Sequence, residues 1–305
     1  MTKTGIADRK KDAAATPPAP AVRPGSTTVI AAVGLVWLAV TLGVARGSLH
    51  GRSGDVALST AALSLPALVQ AALFAGVSAA FAVTLTVVRT RTRVIVGFLT
   101  GLGVGTLAFA VVLLGYGLQS GPETAVAGAV GLAGLLGGGL GALRPARMIS
   151  AGLIATFPVL LLGYLIGHFS EELLRFFGNT GTTASRYSAS GYVGMTEAIA
   201  QGMAAGIVAY LLLRRGGPIQ TGDRRVNFLA FGFAGALPGL IIGFAEIFTR
   251  LVAPRLLAMA SEVSIYDKII FSWGNDNRTN QALVVFFIGA LTALIAHGRT
   301  LGKQS

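Results

Sequence analysis

Long apolar runs, separated by short basic or polar stretches, divide this chain along most of its length. The runs cover residues 28–44, 61–88, 94–118, 124–143, 149–169, 196–213, 228–248 and 279–296. Most of them come close to the roughly 20 residues that a helix needs to cross a bilayer. The pattern therefore predicts an all-α integral membrane protein with about eight transmembrane helices.

A short motif repeats in the first run of each successive pair. A bulky residue stands six positions before a glycine in Trp37–Gly43, Phe109–Gly115, Phe157–Gly163 and Leu237–Gly243. Each copy would lie in the first helix of a hairpin, and every hairpin would start on the same side of the membrane. Such a recurrence is the signature of a repeat architecture. We therefore expect four helical hairpins that form a parallel repeat.

The two ends of the chain differ from the apolar runs. Residues 1–26 are basic and rich in proline, with too little apolar surface to fold alone, which predicts a disordered cytoplasmic tail. Residues 27–299 are expected to form one polytopic membrane domain. Residues 300–305 are expected to form a short cytoplasmic tail at the other end.

Composition and charge give the expected compartment and orientation. The 305 residues are 53% hydrophobic and only 12% charged, so lipid must surround most of the chain. With the N-terminus inside, the inner segments hold 16 basic and three acidic residues, and the outer side holds eight basic and nine acidic ones. Because cytoplasmic loops are enriched in Lys and Arg, both termini are predicted to be cytoplasmic. The abundance of Arg, Ala and Gly indicates a bacterial plasma (inner) membrane.

Glycines mark the helix contacts that we expect. Small residues four positions apart let two membrane helices approach closely, which matters because lipid supplies no hydrophobic force between helices. The third run has glycines at this spacing, and the fourth run is exceptionally rich in glycine. The residues predicted to pack these two helices together are Gly97, Gly101, Gly105, Gly134 and Gly138.

Prolines inside three runs predict kinked helices. Pro66, Pro158 and Pro238 each remove a backbone hydrogen bond from the helix that contains them. Pro158 and Pro238 occupy equivalent positions, five residues before the glycine of their motif. Kinked, glycine-flanked helices in corresponding repeats are typical of a transporter binding site, although prolines and glycines are also common in membrane helices in general.

Polar residues collect near the expected outer ends of the fifth, sixth and seventh runs. They are His168, Glu171, Glu172, Glu197, Gln201, Glu246 and Arg250. Ionisable groups inside a membrane are costly and indicate function by default, which favours a polar or proton-relay cluster that faces an outward cavity. In the other interpretation, Arg250 neutralises Glu246 on its own helix and the remaining groups lie among lipid headgroups. In the functional interpretation, Glu246 faces protein or water and is the residue expected to carry function.

The motifs leave three classes of function open. The absence of cysteine excludes disulfides, thiolate metal sites and cysteine nucleophiles. No nucleotide-binding loop, pair of metal-binding histidines or nucleophile motif is present, so we expect neither cofactor nor metal. A transporter or translocase of a small solute or lipid-linked intermediate is the first hypothesis. A non-catalytic scaffold or accessory subunit of a membrane or cell-envelope complex is the second, and a membrane enzyme acting on lipid is the third.

Expected partners follow from the same features. Membrane lipids should contact the apolar runs, and the basic inner loops should lie against anionic headgroups. Other membrane-protein subunits or a second copy of this chain are expected under the scaffold hypothesis. The net charge of +12 is accounted for by topology, so no nucleic-acid partner is expected.

Overall fold

A computed structural model describes residues 24–50, 54–116, 121–215, 224–263 and 265–301. Within these ranges the chain forms ten α-helices and no strand. The helices are α1 (Pro24–Leu49), α2 (Gly54–Thr84), α3 (Thr90–Tyr116), α4 (Gly121–Leu140), α5 (Ala146–His168), α6 (Ser170–Phe176), α7 (Thr183–Arg215), α8 (Arg224–Val252), α9 (Pro254–Glu262) and α10 (Ile265–Leu301). The prediction of an all-α protein is confirmed.

Seven of the described helices are long and apolar enough to cross a membrane: α1, α2, α3, α5, α7, α8 and α10. The chain is therefore a multi-pass helical membrane protein. The remaining predicted span corresponds to α4, whose described apolar part, Thr124–Leu140, is shorter than the other seven. Length and composition alone thus support seven spans.

Several helices extend beyond the apolar runs that predicted them. The sixth run was expected to begin at residue 196 and the last at residue 279, but α7 begins at Thr183 and α10 at Ile265. Both extensions are too polar to be recognised by hydropathy. They contain no proline, however, so nothing in the sequence interrupts the backbone hydrogen bonds of the helix. In contrast, α2 ends at Thr84, before the predicted boundary at residue 88.

The predicted tails also differ from the observed boundaries. The first helix begins at Pro24, inside the segment 1–26 that was expected to be disordered, and proline is favoured in the first turn of a helix. At the other end, Thr300 and Leu301 belong to α10 rather than to a tail. The rest of the two predicted tails, residues 1–23 and 302–305, lies outside the described residues.

The long helices pack as two groups of four. The first group contains α1, α2, α3 and α4, and the second contains α5, α7, α8 and α10. In each group, the second helix packs against the first and the fourth, and the third packs against the fourth. Contacts of α1 with α5 and of α2 with α8 join the groups. The most buried of the seven candidate spans is α2, whereas α1, α3 and α10 bury the smallest share of their residues.

Glycine allows the close approach of helices in the first group. The five glycines predicted to pack helices lie at the contact between α3 and α4. A Cβ atom on Gly101 would lie 2.6 Å from the Cα of Gly138 and 2.7 Å from the carbonyl oxygen of Gly134. The carbonyl of Gly134 also blocks a Cβ on Gly76 of α2. Gly134 is therefore held between glycines of two neighbouring helices.

The second group contains a matching contact that the sequence analysis did not identify. A Cβ on Gly206 of α7 would lie 2.6 Å from the carbonyl oxygen of Gly289 in α10. The same carbonyl blocks a Cβ on Gly235 of α8. Gly289 in the second group thus occupies a position like that of Gly134 in the first, between the second and third helices of its group.

Three helices contain the prolines predicted to kink them. Pro66 lies inside α2, Pro158 inside α5 and Pro238 inside α8. Proline has no backbone N–H, so each of these positions lacks the usual helical hydrogen bond. In α5, Pro158 immediately precedes Val159 and Leu160, which line the cavity described next.

Candidate functional site

A cavity of about 320 Å³ lies where the two helix groups meet. Its wall is formed by α1 and α2 from the first group and by α5, α7, α8 and α10 from the second. The polar side chains on the wall come from both groups; they are Thr41, Gln70, Tyr164, Glu197, Gln201 and Gln281. A volume of this size is at the lower end of the range for small-molecule sites.

Among the residues that the structure describes, Glu197 of α7 is the only charged one on this wall. Its Oε1 accepts hydrogen bonds from Nε2 of Gln201 and from Nε2 of Gln281, each at 3.0 Å. The two amides are also joined to each other, because Nε2 of Gln281 donates to Oε1 of Gln201 at 2.9 Å. Gln201 is 3% exposed and Glu197 is half-buried. The network ties α7 to α10 and fixes the carboxylate on the cavity wall.

The other carboxylate oxygen of Glu197 remains open. Within the described part of the chain, Oε2 accepts no hydrogen bond, and no Lys, Arg or His forms an ion pair with Glu197. The half-buried amide of Gln70, which reaches the cavity from α2, likewise makes no hydrogen bond with a described residue. Two strongly polar groups are therefore available to a molecule in the cavity.

Gly163 of α5 makes room for this network. A Cβ at this position would lie 2.8 Å from Nε2 of Gln201 and 3.3 Å from Oε1 of Glu197. The nearby carbonyl of Val159 accepts a hydrogen bond from Nε2 of Gln201 at 3.2 Å, so the amide lies directly against α5. Among the four repeat glycines, only this one has the polar side chains of the cavity within reach of an added Cβ; Gly43, for example, has no atom within 4 Å of its Cβ position.

Aromatic residues form another part of the wall. Trp37 of α1 packs edge-on against Tyr164 of α5, with ring centroids 6.3 Å apart. It also packs edge-on against Phe157, at 6.2 Å. Both Trp37 and Phe157 are the bulky residues of the repeated motif, so two copies of the motif meet beside the cavity. This contact links the first helix of one group to the first helix of the other.

Glu246 belongs to a different site. Its carboxylate is 5% exposed, as expected for a side chain that faces protein rather than lipid. Nε of Arg250 lies 3.0 Å from Oε1, and Nε of Arg278 in α10 lies 3.0 Å from Oε2. Arg250 also donates to Oγ1 of Thr279 at 2.8 Å. Two guanidinium groups therefore neutralise Glu246, and the arrangement fastens α8 to α10.

The remaining members of the predicted cluster are exposed. Glu171 of α6 forms an ion pair with Arg186 of α7 at 2.6 Å, and both side chains are more than half exposed. Glu172 and His168 are exposed as well, with His168 packed edge-on against Phe169. The structure thus separates one predicted cluster into three groups. Of its seven residues, only Glu197 and Gln201 line the cavity.

Most of the cavity wall was not predicted from the sequence, including Trp37 and the two amides Gln70 and Gln281. Gln70 is a single amide in a long apolar run, and Gln281 follows the first residues of the last run. An amide in a membrane span was the signal that could have identified both. Glu246 was predicted to carry function because it has a formal charge near a helix end, which these amides lack.

A second cavity has an entirely different character. It measures about 500 Å³ and lies between α2, α4 and α5 on one side and α8 and α10 on the other. Its wall is apolar, with Leu153, Leu237, Phe244 and Phe286 among the residues that form it. Such a groove offers hydrocarbon contact but no hydrogen bond or charge from a side chain.

In the described part of the chain, no group of three or more His, Asp or Glu side chains is arranged to hold a metal ion. Comparison of the chain with protein-family models, with curated proteins and with solved structures finds no match. The geometry of the polar cavity is therefore the basis for assigning a function.

Proposed function

We propose that this protein is a transporter or translocase that carries a small solute through the cavity between its two helix groups. The observation behind the proposal is the position of the Glu197 carboxylate and its lack of an ion pair with any described residue. This carboxylate belongs to a helix long enough to span a membrane, lies on a cavity wall and has no ion-pair partner among the described residues. Ionisable groups in such helices are rare, and they mark the paths of solutes and ions.

Glu197 suits this role better than Glu246 does. The carboxylate of Glu246 is held by two arginines, so its charge is already balanced within the protein. The bonds to Glu197 come from two neutral amides, which leave its charge unbalanced. An amide can donate or accept a hydrogen bond, so the site accommodates Glu197 with or without a proton. We therefore expect transport of the solute to be coupled to the movement of a proton in exchange.

The architecture around the cavity also supports transport. In transporters built from repeats, the solute site lies between the repeats, which rock against each other to open it to either side. Here the cavity lies between two helix groups that share one packing order. The similar positions of Gly134 and Gly289 support an internal repeat. Movement of one group against the other would change access to Glu197.

We infer eight spans arranged as four parallel hairpins, with α4 as the eighth. Each expected hairpin has two helices in contact: α1 with α2, α3 with α4, α5 with α7, and α8 with α10. The 20 residues of α4 would extend about 30 Å at 1.5 Å per residue, the thickness of the hydrocarbon core. The basic loops then all face the cytoplasm, together with both termini, in a bacterial plasma membrane.

Single cysteines test the transport proposal without knowledge of the solute. Because the chain has no cysteine, Thr41→Cys introduces one thiol, and Thr41 lines the cavity. We expect this thiol to react with a membrane-impermeant maleimide in right-side-out vesicles and also in inside-out vesicles. A transporter opens its cavity to each side in turn, so both preparations should label.

Three matched variants serve as controls. Thr156→Cys should react from neither side, because Thr156 is 0% exposed. Thr182 and Thr86 are exposed in the segments before α7 and after α2; their cysteine variants should react only from outside and only from inside, respectively. Reaction of both from the same side would contradict the eight-span topology. Reaction of Thr41→Cys from one side or from neither would contradict transport and favour the scaffold.

A further inference from the structure

We infer that the polar cavity binds a small organic cation, specifically a protonated amine whose N–H group bonds to Oε2 of Glu197. The inference extends the proposed function, since this cation would be the solute that the protein carries. The binding site is nevertheless a separate claim, because a protein can bind a cation here without moving it.

The charge of the wall selects a cation. Within the described ranges, Glu197 is the only charged residue that lines the cavity, so the wall attracts positive ligands and disfavours negative ones. An ionised carboxylate can only accept hydrogen bonds. With Oε1 already bonded to two amides, Oε2 needs a donor from the ligand. A protonated amine supplies both the charge and the N–H group.

The network around Glu197 disfavours a bare metal cation. Gln201 and Gln281 turn their NH₂ groups, not their carbonyl oxygens, towards the carboxylate. The carbonyl oxygen of Gln201 is itself occupied by the amide of Gln281. Hard cations such as Ca²⁺ need six or more oxygen ligands around them. Next to the carboxylate, the cavity presents amide N–H groups rather than such a set of oxygens.

The rest of the wall suits the organic part of the ligand. Trp37 and Tyr164 present aromatic rings, which attract cations placed over their faces. Val40, Val44 and Ile242 add apolar surface for a hydrocarbon group. The amide of Gln70 on the opposite helix group can bond to a further polar atom. The volume of about 320 Å³ favours a cation smaller than most drug molecules.

The fluorescence of Trp37 can be used to measure binding in the cavity. The chain has two tryptophans, so Trp273→Phe leaves Trp37 as the only one, and its fluorescence then reports on the cavity. Three probes of similar shape differ in charge at neutral pH: cyclohexylammonium, cyclohexanol and cyclohexanecarboxylate. We expect a saturable fluorescence change with cyclohexylammonium at concentrations at least about tenfold below any change with the other two. A rise in unfolding temperature with the same probe gives a second readout.

Two variants test whether the bound cation interacts with the carboxylate of Glu197. Glu197→Gln keeps the shape of the side chain, and we expect it to weaken cyclohexylammonium binding at least about tenfold, because a charge-assisted hydrogen bond is lost. Glu171→Gln removes a carboxylate that is exposed and does not line the cavity, so binding should be unchanged. The three probes test charge selection with Glu197 intact. Their effect on the unfolding temperature is measured in the unaltered protein, so that result does not depend on the folding of a variant.

The outcomes separate the cation site from transport. Equal binding of cyclohexanol, unchanged binding by the Glu197→Gln variant, or no response in either readout would each overturn the cation site. Transport itself would still stand if Thr41→Cys reacts from both sides of the membrane. Conversely, selective cation binding with one-sided labelling of Thr41→Cys would retain the site and contradict the transporter.

Discussion

Replacing Glu246 with glutamine is expected to destabilise the fold by about 3 kcal/mol. The carboxylate is 5% exposed and holds Arg250 on its own helix and Arg278 on α10, each at 3.0 Å. Glutamine keeps the size of the side chain but removes the negative charge that lies 3.0 Å from each guanidinium group. The loss should fall at the lower end of the range for buried ion pairs, because Arg250 is 43% exposed and water screens part of its charge. Thermal unfolding in detergent measures the change.

A matched substitution separates this effect from a general loss of negative charge. Glu171→Gln also removes a carboxylate from an ion pair, but Glu171 and Arg186 are 57% and 61% exposed. It should therefore leave the unfolding temperature nearly unchanged. Glu197→Gln should also be well tolerated in folding, because no ion pair among the described residues is lost. An unfolding temperature for Glu246→Gln equal to that of Glu171→Gln would show that the two arginines do not depend on Glu246.

Adding one methyl group at Gly101 is expected to cost about 2–3 kcal/mol. Its Cβ would lie 2.6 Å from the Cα of Gly138, and the next nearest atoms are the carbonyl oxygens of Gly134 and Leu135 at 2.7 Å. All three are backbone atoms, which cannot turn aside as a side chain can. The Gly101→Ala substitution therefore has to move α3 away from α4. A lower unfolding temperature in detergent is the expected result.

Gly103 offers the same substitution on the same helix without the contact. No atom lies within 4 Å of a Cβ at Gly103. Gly103→Ala should leave stability unchanged or raise it by up to about 1 kcal/mol, because alanine favours the helix more than glycine does. Both variants gain the same helix propensity, so their difference isolates the packing. Equal unfolding temperatures for the two variants would contradict the close contact of α3 with α4.

The candidate site could be predicted only in part. Glu197 and Gln201 were recognised as polar residues near the expected outer end of the sixth run, and their spacing of four residues places them on one face of a helix. Their hydrogen-bonding partner Gln281 lies far along the chain, and spacing within one helix says nothing about such a neighbour. The emphasis on Glu246 followed from the cost of burying a charge. In the structure, Arg250 and Arg278 offset that cost together, and spacing along the sequence had paired Glu246 with Arg250 alone.

Local patterns were sufficient for the fold class. The apolar runs predict membrane helices because each helix must satisfy its own backbone hydrogen bonds in lipid, whatever its neighbours are. The glycines of α3 were informative for a similar reason, since their spacing of four places Gly97, Gly101 and Gly105 on one face. Boundaries were predicted less well where polar sequence continues a helix, as it does from Thr183.

The sequence by itself determined that this is an all-helical, multi-pass membrane protein, because hydropathy and helix periodicity are properties of contiguous residues. Only the tertiary structure decided which polar residues share a site. It brought Gln70, Glu197 and Gln281 to one cavity from three helices, and it gave Glu246 its second arginine. These outcomes depend on how the helices pack within and between the two groups, and packing brings together residues that are distant along the chain.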